Sequence, residues 1–221
     1  MSDCCQAASR HFDEKVAEQD LAASRTKGLD KRARLLLGAL RRSGVSGRSV
    51  LDVGAGVGML SLELLKAGAS RACLADASPA YVGAASREAA RSGLSDRVET
   101  VLGDFVETAG GMSAADILVM DRVVCCYAEW LPLLKAAMTR GRSVIGMTYP
   151  RARPDVRLVI GFENLLRRLK GNLFRTFVHP PAAMQAALEG GGWRLRYRGS
   201  TFLWRIDVYA REGEKGITGK P

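Results

Sequence analysis

From Ser49 onward two patterns alternate. Short apolar runs rich in β-branched residues are each followed by an alanine- or leucine-rich stretch with apolar residues at helical spacing. The alternation predicts strands over 49–53, 72–75, 98–102, 115–120 and 143–148, with helices over 59–67, 79–92, 129–139 and 181–189. Such βαβ units build a parallel sheet with helices on its faces. After Gly192 the period shortens to two in RLRYRGSTFLWRIDVYAR, which predicts a pair of antiparallel strands joined at Gly199-Ser200. The expected fold is α/β: a Rossmann-like, doubly wound, mostly parallel seven-stranded sheet with a C-terminal antiparallel hairpin.

Two segments fall outside the alternation. Residues 10–44 have helical character, with Phe12, Val16, Leu21, Leu36, Leu37 and Leu40 as the apolar side, so residues 1–47 are expected to form an N-terminal helical cap on a core spanning 48–221. Within that core, 151–179 reads as a basic helical insertion. Its apolar residues Leu158, Phe162, Leu165, Leu166 and Leu169 recur at three- and four-residue spacing, with Arg157, Asn164, Arg167, Arg168 and Lys170 on other faces. A helix of this kind packs its stripe on the core, covers a substrate or meets an anionic partner.

Composition narrows the class. A chain of 221 residues, 47% of them hydrophobic, can bury one domain. No apolar run approaches a membrane span and the N-terminus lacks a secretory core, so a cytoplasmic protein is expected. The five cysteines include adjacent pairs, Cys4-Cys5 and Cys125-Cys126, that lack the spacing of a metal clip; reduced thiols and no metal are expected. The net charge of +10 is uneven: 48–120 carries −3 and 151–221 carries +8. The basic C-terminal third favours an anionic ligand, without choosing among metabolite, nucleic acid and membrane surface.

The chemistry starts at VLDVGAGVG, residues 50–58. A glycine loop between a strand and a helix lets a ligand approach backbone N–H groups. The dinucleotide fingerprint would need a glycine at position 59, where Met59 stands, and an acid at Asp52 would repel a pyrophosphate. Asp52 suits a ligand that is cationic there. S-Adenosylmethionine, with an ammonium, a sulfonium and no phosphate, is such a ligand.

VLDVGAGVG resembles the first motif of the class I S-adenosylmethionine-dependent methyltransferases, and LADAS, LGDF and ADILVMDRVV resemble the three that follow it. The resemblance implies a cofactor site made of Asp52, Gly54, Ala55, Gly56 and Gly58, with Asp76 and Ala77 at the ribose, Asp104 and Phe105 at the adenine, and Asp121 near the transferred methyl. The later stretches DRVVCCYAEW, MTYPRARP, NLLRRLKGNLFRTFVHPP and FLWRIDVYAR resemble a group of small bacterial methyltransferases distantly akin to the magnesium-protoporphyrin O-methyltransferases. Where those sequences usually read PD after CCY, this chain has Ala128-Glu129.

Methyl transfer asks the protein for alignment and, for some acceptors, removal of a proton. His179 in FVHPP is a candidate base or a helix cap; His11 is a lesser candidate. Asp121 and Arg122 end the fourth strand, where Arg122 either holds a substrate carboxylate or pairs with Asp121. Tyr127 and Tyr149 offer hydroxyl donors, an aromatic wall or core packing, and Arg167 an anion contact. Cys125 and Cys126 fill core space or meet a soft acceptor.

The expected activity is methyl transfer to a small, anionic acceptor, at oxygen. Thiol or metalloid methylation, RNA methylation and a catalytically inactive cofactor-binding module are the alternatives. Nucleic acid is disfavoured because no NPPY-like motif is present to grip a flipped base. Monomer and homodimer both remain open.

Overall fold

A computed structural model of the chain describes residues 1–213, so the last eight residues of the expected core lie outside the described residues. The strands are β1 (Ser49–Val53), β2 (Arg71–Asp76), β3 (Val98–Leu102), β4 (Ala115–Asp121), β5 (Gly141–Pro150), β6 (Trp193–Ser200) and β7 (Trp204–Arg211). They form one seven-stranded sheet in the order β3-β2-β1-β4-β5-β7-β6, with β7 antiparallel to both of its neighbours and the other pairs parallel. The order reverses between β1 and β4. At such a switch point the connections leave in opposite directions and open a crevice beyond the strand ends.

The helices are α1 (Asp3–His11), α2 (Glu14–Lys27), α3 (Lys31–Arg42), α4 (Met59–Lys66), α5 (Pro79–Arg91), α6 (Phe105–Thr108), α7 (Trp130–Arg140), α8 (Pro154–Leu169) and α9 (Pro181–Gly190). Side-chain caps fix several starts: Asp13, Asp30, Ser78 and Asp104 each accept a backbone N–H from the first turn that follows. Pro79, Pro154 and Pro181 open their helices where no N–H is needed.

Two buried clusters lie on opposite faces of the sheet. One gathers Leu51, Leu118, Met147, Leu133, Met184 and Trp193 between the sheet and the α7–α9 side; the other gathers Val50, Ile117, Val144, Leu62, Leu65, Leu36 and Leu40 against α3 and α4. Every residue of β1 is buried, as a central parallel strand requires.

The 1–47 segment contains helices of two kinds. α1 and α2 lie over the strand ends, whereas α3 is part of the sandwich: Leu36, Ala39 and Leu40 are fully buried. Gly146 of β5 makes that packing possible, because a Cβ there would meet Leu36 and Leu40 at 2.9 Å. The hairpin turn also differs from expectation. Gly199 is paired with Ile206 inside β6, and the turn falls at Thr201–Leu203, where Thr201 N–H donates to the Trp204 carbonyl.

Candidate functional site

Beyond the ends of β1, β2 and β4 lies a cavity of about 870 Å³, within the size range of small-molecule sites. Its floor is the first loop. Gly54 and Gly58 both take positive φ, 63° and 78°, and each has a second constraint: a Cβ would stand 2.5 Å from Val123 at Gly54 and 3.1 Å from Leu74 at Gly58. Gly58 thereby sets the left-handed turn that starts α4 but does not line the cavity; Gly54, Ala55 and Gly56 do.

Asp52 and Asp76 stand on either side of that floor, and both line the cavity. Asp52 is buried; its Oδ2 accepts from Ser61 Oγ at 2.7 Å, while Oδ1 has no partner among the described residues. Burial pushes its carboxyl up to about 7 against the opposing Ser61 bond. An orphaned carboxylate oxygen in a cavity suits a cationic ligand group, because an ammonium would supply both the missing donor and the charge. Asp76 accepts from Gly56 N–H and Ser78 N–H, each at 2.9 Å, so it holds the glycine loop as well as facing the cavity. Burial raises its pKa too, against these backbone bonds.

Of the third motif Gly103 and Phe105 line the cavity and Asp104 does not. Phe105 is buried along its wall with Ala77, whereas Asp104 is saturated by the protein: Oδ1 accepts from Tyr127 Oη at 2.8 Å and Val106 N–H, and Oδ2 from the backbone and hydroxyl of Ser2. The adenine contact expected of Asp104 is thus taken by Ser2 and Tyr127. Its carboxylate instead ties the N-terminus to the start of α6.

At the end of β4, Asp121 accepts from Thr148 Oγ1 and from Arg32 of α3. Arg32 also pairs with Asp30 at 3.0 Å and leaves its Nε without a partner among the described residues. Burial pulls its pKa down to about 10. Arg122 follows in a left-handed conformation, φ 62°, with its N–H on Thr148 Oγ1; among the described residues the ion pair of Asp121 is with Arg32, not with Arg122. Its carbonyl accepts from Cys125 Sγ at 3.3 Å and Cys126 Sγ at 3.2 Å. Arg32, Arg122, Tyr127, both cysteines and Arg167 of α8 all line the cavity. No group of three His, Cys, Asp or Glu residues among the described residues could hold a metal ion.

Two residues expected at the chemistry lie elsewhere. His179 does not line the cavity; its Nε2–H is shared between the carbonyls of Tyr127 at 2.9 Å and Val124 at 3.1 Å, which fastens the turn after β4. Tyr149 is fully buried and donates to Asp207 at 2.6 Å. Neither position supports a catalytic role.

The other histidine does line the cavity. His11 stacks on Phe174 with centroids 4.7 Å apart. Asn172 is oriented by Phe174 N–H on its Oδ1, so its Nδ2 donates to His11 Nδ1 at 2.9 Å and leaves the ring proton of the neutral imidazole on Nε2. Burial lowers the pKa of His11, which favours that neutral form. His11 is therefore a fixed donor, a role the separate positions 11, 172 and 174 gave no means of reading. Arg32 is hidden in the sequence for a similar reason: LDKRARLLLG reads as an ordinary capped helix, and only its packing against β5 and β7 brings the guanidinium to Asp121.

Comparison with known proteins agrees with this geometry. Residues 50–144 match the family model described as methyltransferase domain. The ribosomal protein L11 methyltransferase of Yersinia pestis is 31% identical over 97 residues, 44% of this chain and 32% of that protein. The corresponding enzyme of Pelotomaculum thermopropionicum is 28% identical over 130 residues, 59% of this chain and 42% of that protein. The chain thus spans less than half the length of these curated relatives. Among solved structures, magnesium protoporphyrin IX methyltransferase from Synechocystis PCC 6803 with bound SAH has a TM-score of 0.72 at 19% identity, covering 95% of this chain and 100% of that one. An O-methyltransferase family 2 protein from Planctomyces limnophilus, in complex with apigenin, has a TM-score of 0.60 at 16% identity, covering 83% and 62%. These two likenesses are of fold. Glycine loop, strand-end acids and strand order agree with that match: residues 50–144 carry a methyltransferase domain, within a fold shared with these solved methyltransferases.

Proposed function

We propose that the chain transfers a methyl group from S-adenosylmethionine to a small anionic acceptor, at an oxygen that is already ionised. The observation that carries this reading is the division of charge in the cavity: an acid with one unpartnered oxygen, Asp52 Oδ1, beside the glycine floor, and Arg32, Arg122 and Arg167 on the walls. Bound S-adenosylmethionine supplies an electrophilic methyl. In this assignment Asp52 takes its ammonium, Asp76 its ribose hydroxyls, and Phe105 lies along its adenine. Arg32 and Arg122 orient the acceptor.

The acid–base inventory favours an acceptor that needs no base. His179 points away from the cavity, the Nδ1 lone pair of His11 is used by Asn172, and Asp121 is engaged by Arg32 and Thr148. A carboxylate is a nucleophile at neutral pH without losing a proton, and guanidinium groups bind it bidentately. Incubation with methyl-labelled cofactor and a metabolite extract should label an organic acid as its ester, released by mild alkali. Label found only on nitrogen, sulfur or RNA would refute the assignment.

Asp52 makes binding of the cofactor pH-dependent. Only its ionised form attracts an ammonium, so binding expels the proton that the raised pKa retains. Affinity should rise with pH up to about 7 and level off above it, falling by up to tenfold per unit below. The effect on stability has the opposite sense. Between about pH 4 and 7 the folded state holds a proton the unfolded chain has released, so Asp52 erodes stability as pH rises. Calorimetry at pH 6 in buffers of different ionisation enthalpy would read the released proton. An Asp52→Asn variant should show none, and a pH-independent affinity in the unsubstituted protein would remove the ammonium assignment.

A further inference from the structure

We propose that α8 is a membrane-surface helix that seats the protein on anionic lipid. α8 is apolar on two opposite sides. Val156 and Ile160 point inward, where Ile160 and Arg167 line the cavity. On the outward side Leu158, Phe162, Leu165 and Leu169 are 75%, 60%, 51% and 74% exposed. At 3.6 residues per turn these four fall within an arc of about 60°, centred opposite Ile160 and Arg167. Leu166 widens the stripe at 40% exposure, and Leu173, just past the helix, is 65% exposed. Scattered surface leucines need no explanation, but a continuous stripe along a four-turn helix does.

Charge identifies what covers it. Arg157 and Arg168 follow each other along one flank of the stripe, and Lys170 sits at its end. All are exposed, and none of the three is in an ion pair among the described residues, whereas Arg153 and Arg167 pair with Asp155 and Glu163. Before the helix, Arg151 and Arg153 line a second hollow of about 400 Å³ with Arg198 and Arg205. A second copy docking stripe to stripe would bring these cations toward one another. An anionic bilayer takes both parts at once, leucine and phenylalanine into the acyl boundary and unpaired cations onto phosphate. No helix among the described residues is long and apolar enough to span the membrane, so this is attachment in the plane of the interface.

Vesicle flotation tests the proposal, with phosphatidylcholine alone and with roughly a third phosphatidylglycerol. The protein should float with the anionic vesicles, at least about tenfold less with neutral ones, and detach as salt shortens electrostatic range. Phe162→Glu with Leu169→Glu should abolish flotation, and Arg157→Glu with Arg168→Glu should weaken it on anionic vesicles. Melting temperature and cofactor affinity should stay unchanged in both variants, since these side chains touch neither core nor cavity. That control separates loss of the surface from failure of the methyltransferase reading. Absence of flotation on anionic vesicles, or flotation indifferent to the glutamates, would overturn the proposal. So would a protein of dimer mass in solution that the apolar-to-glutamate variant returns to monomer without any vesicle binding.

Discussion

An Asp76→Ala variant is expected to bind S-adenosylmethionine about 1–3 kcal/mol more weakly, roughly five- to 150-fold, while NAD remains a poor ligand for both proteins. Two effects combine. In the proposed site the carboxylate accepts from the ribose hydroxyls, so alanine leaves buried donors unmet. The same carboxylate accepts from Gly56 N–H and Ser78 N–H, so the glycine floor also loses what fixes it to the end of β2. Titration calorimetry gives the affinity, and a melting curve shows how much of the change comes from the loop. Asp76→Asn should fall between the two, since an amide keeps one acceptor oxygen where the carboxylate offers two. Unchanged affinity in the alanine variant, with a lowered melting curve, would confine Asp76 to holding the loop.

The strands, the mostly parallel sheet with its terminal hairpin and the glycine floor were legible in the sequence because each depends on local signals. Apolar runs of four to seven residues mark strands; Gly54 and Gly58 mark a backbone that a side chain could not share; Asp52 and Asp76 stand at strand ends that any βαβ sheet brings together. The acceptor side was less legible because it is assembled from distant segments. Asp104 reads as a ligand contact until Ser2, over a hundred positions away, takes its carboxylate. His179 reads as a base until the turn at 124–127 is seen to consume its proton. His11 acquires a defined tautomer only through Asn172, and Asn172 a defined orientation only through Phe174. The helical spacing of 158–169 was visible, but periodicity does not say which side faces the protein. Here the most apolar side faces outward.

Two truncations are expected to differ in kind. Removing residues 1–28 takes away α1 and α2, the part of the N-terminus that roofs the cavity: His11, Phe12, Val16 and Asp20 line it from above, and Ser2 ties the roof to Asp104. The remaining chain should fold, with reduced stability where Leu21 and the Arg25–Glu88 pair are lost, but it should not transfer methyl groups, because a site open to solvent neither excludes water nor holds an acceptor. Removing residues 1–44 takes α3 as well, and α3 belongs to the core. Leu36 and Leu40 are fully buried, Leu37 nearly so, and each such side chain contributes about 1.5–3 kcal/mol. Their loss alone approaches the roughly 5–15 kcal/mol that holds a typical domain together. It also uncovers the face of β5 and β7 and strips Asp121 of Arg32. The longer truncation should therefore be insoluble or lack a cooperative melting transition, while the shorter one melts cooperatively and still binds cofactor. A soluble, cofactor-binding 45–221 fragment would show that α3 is dispensable and that the sheet stands on its remaining helices.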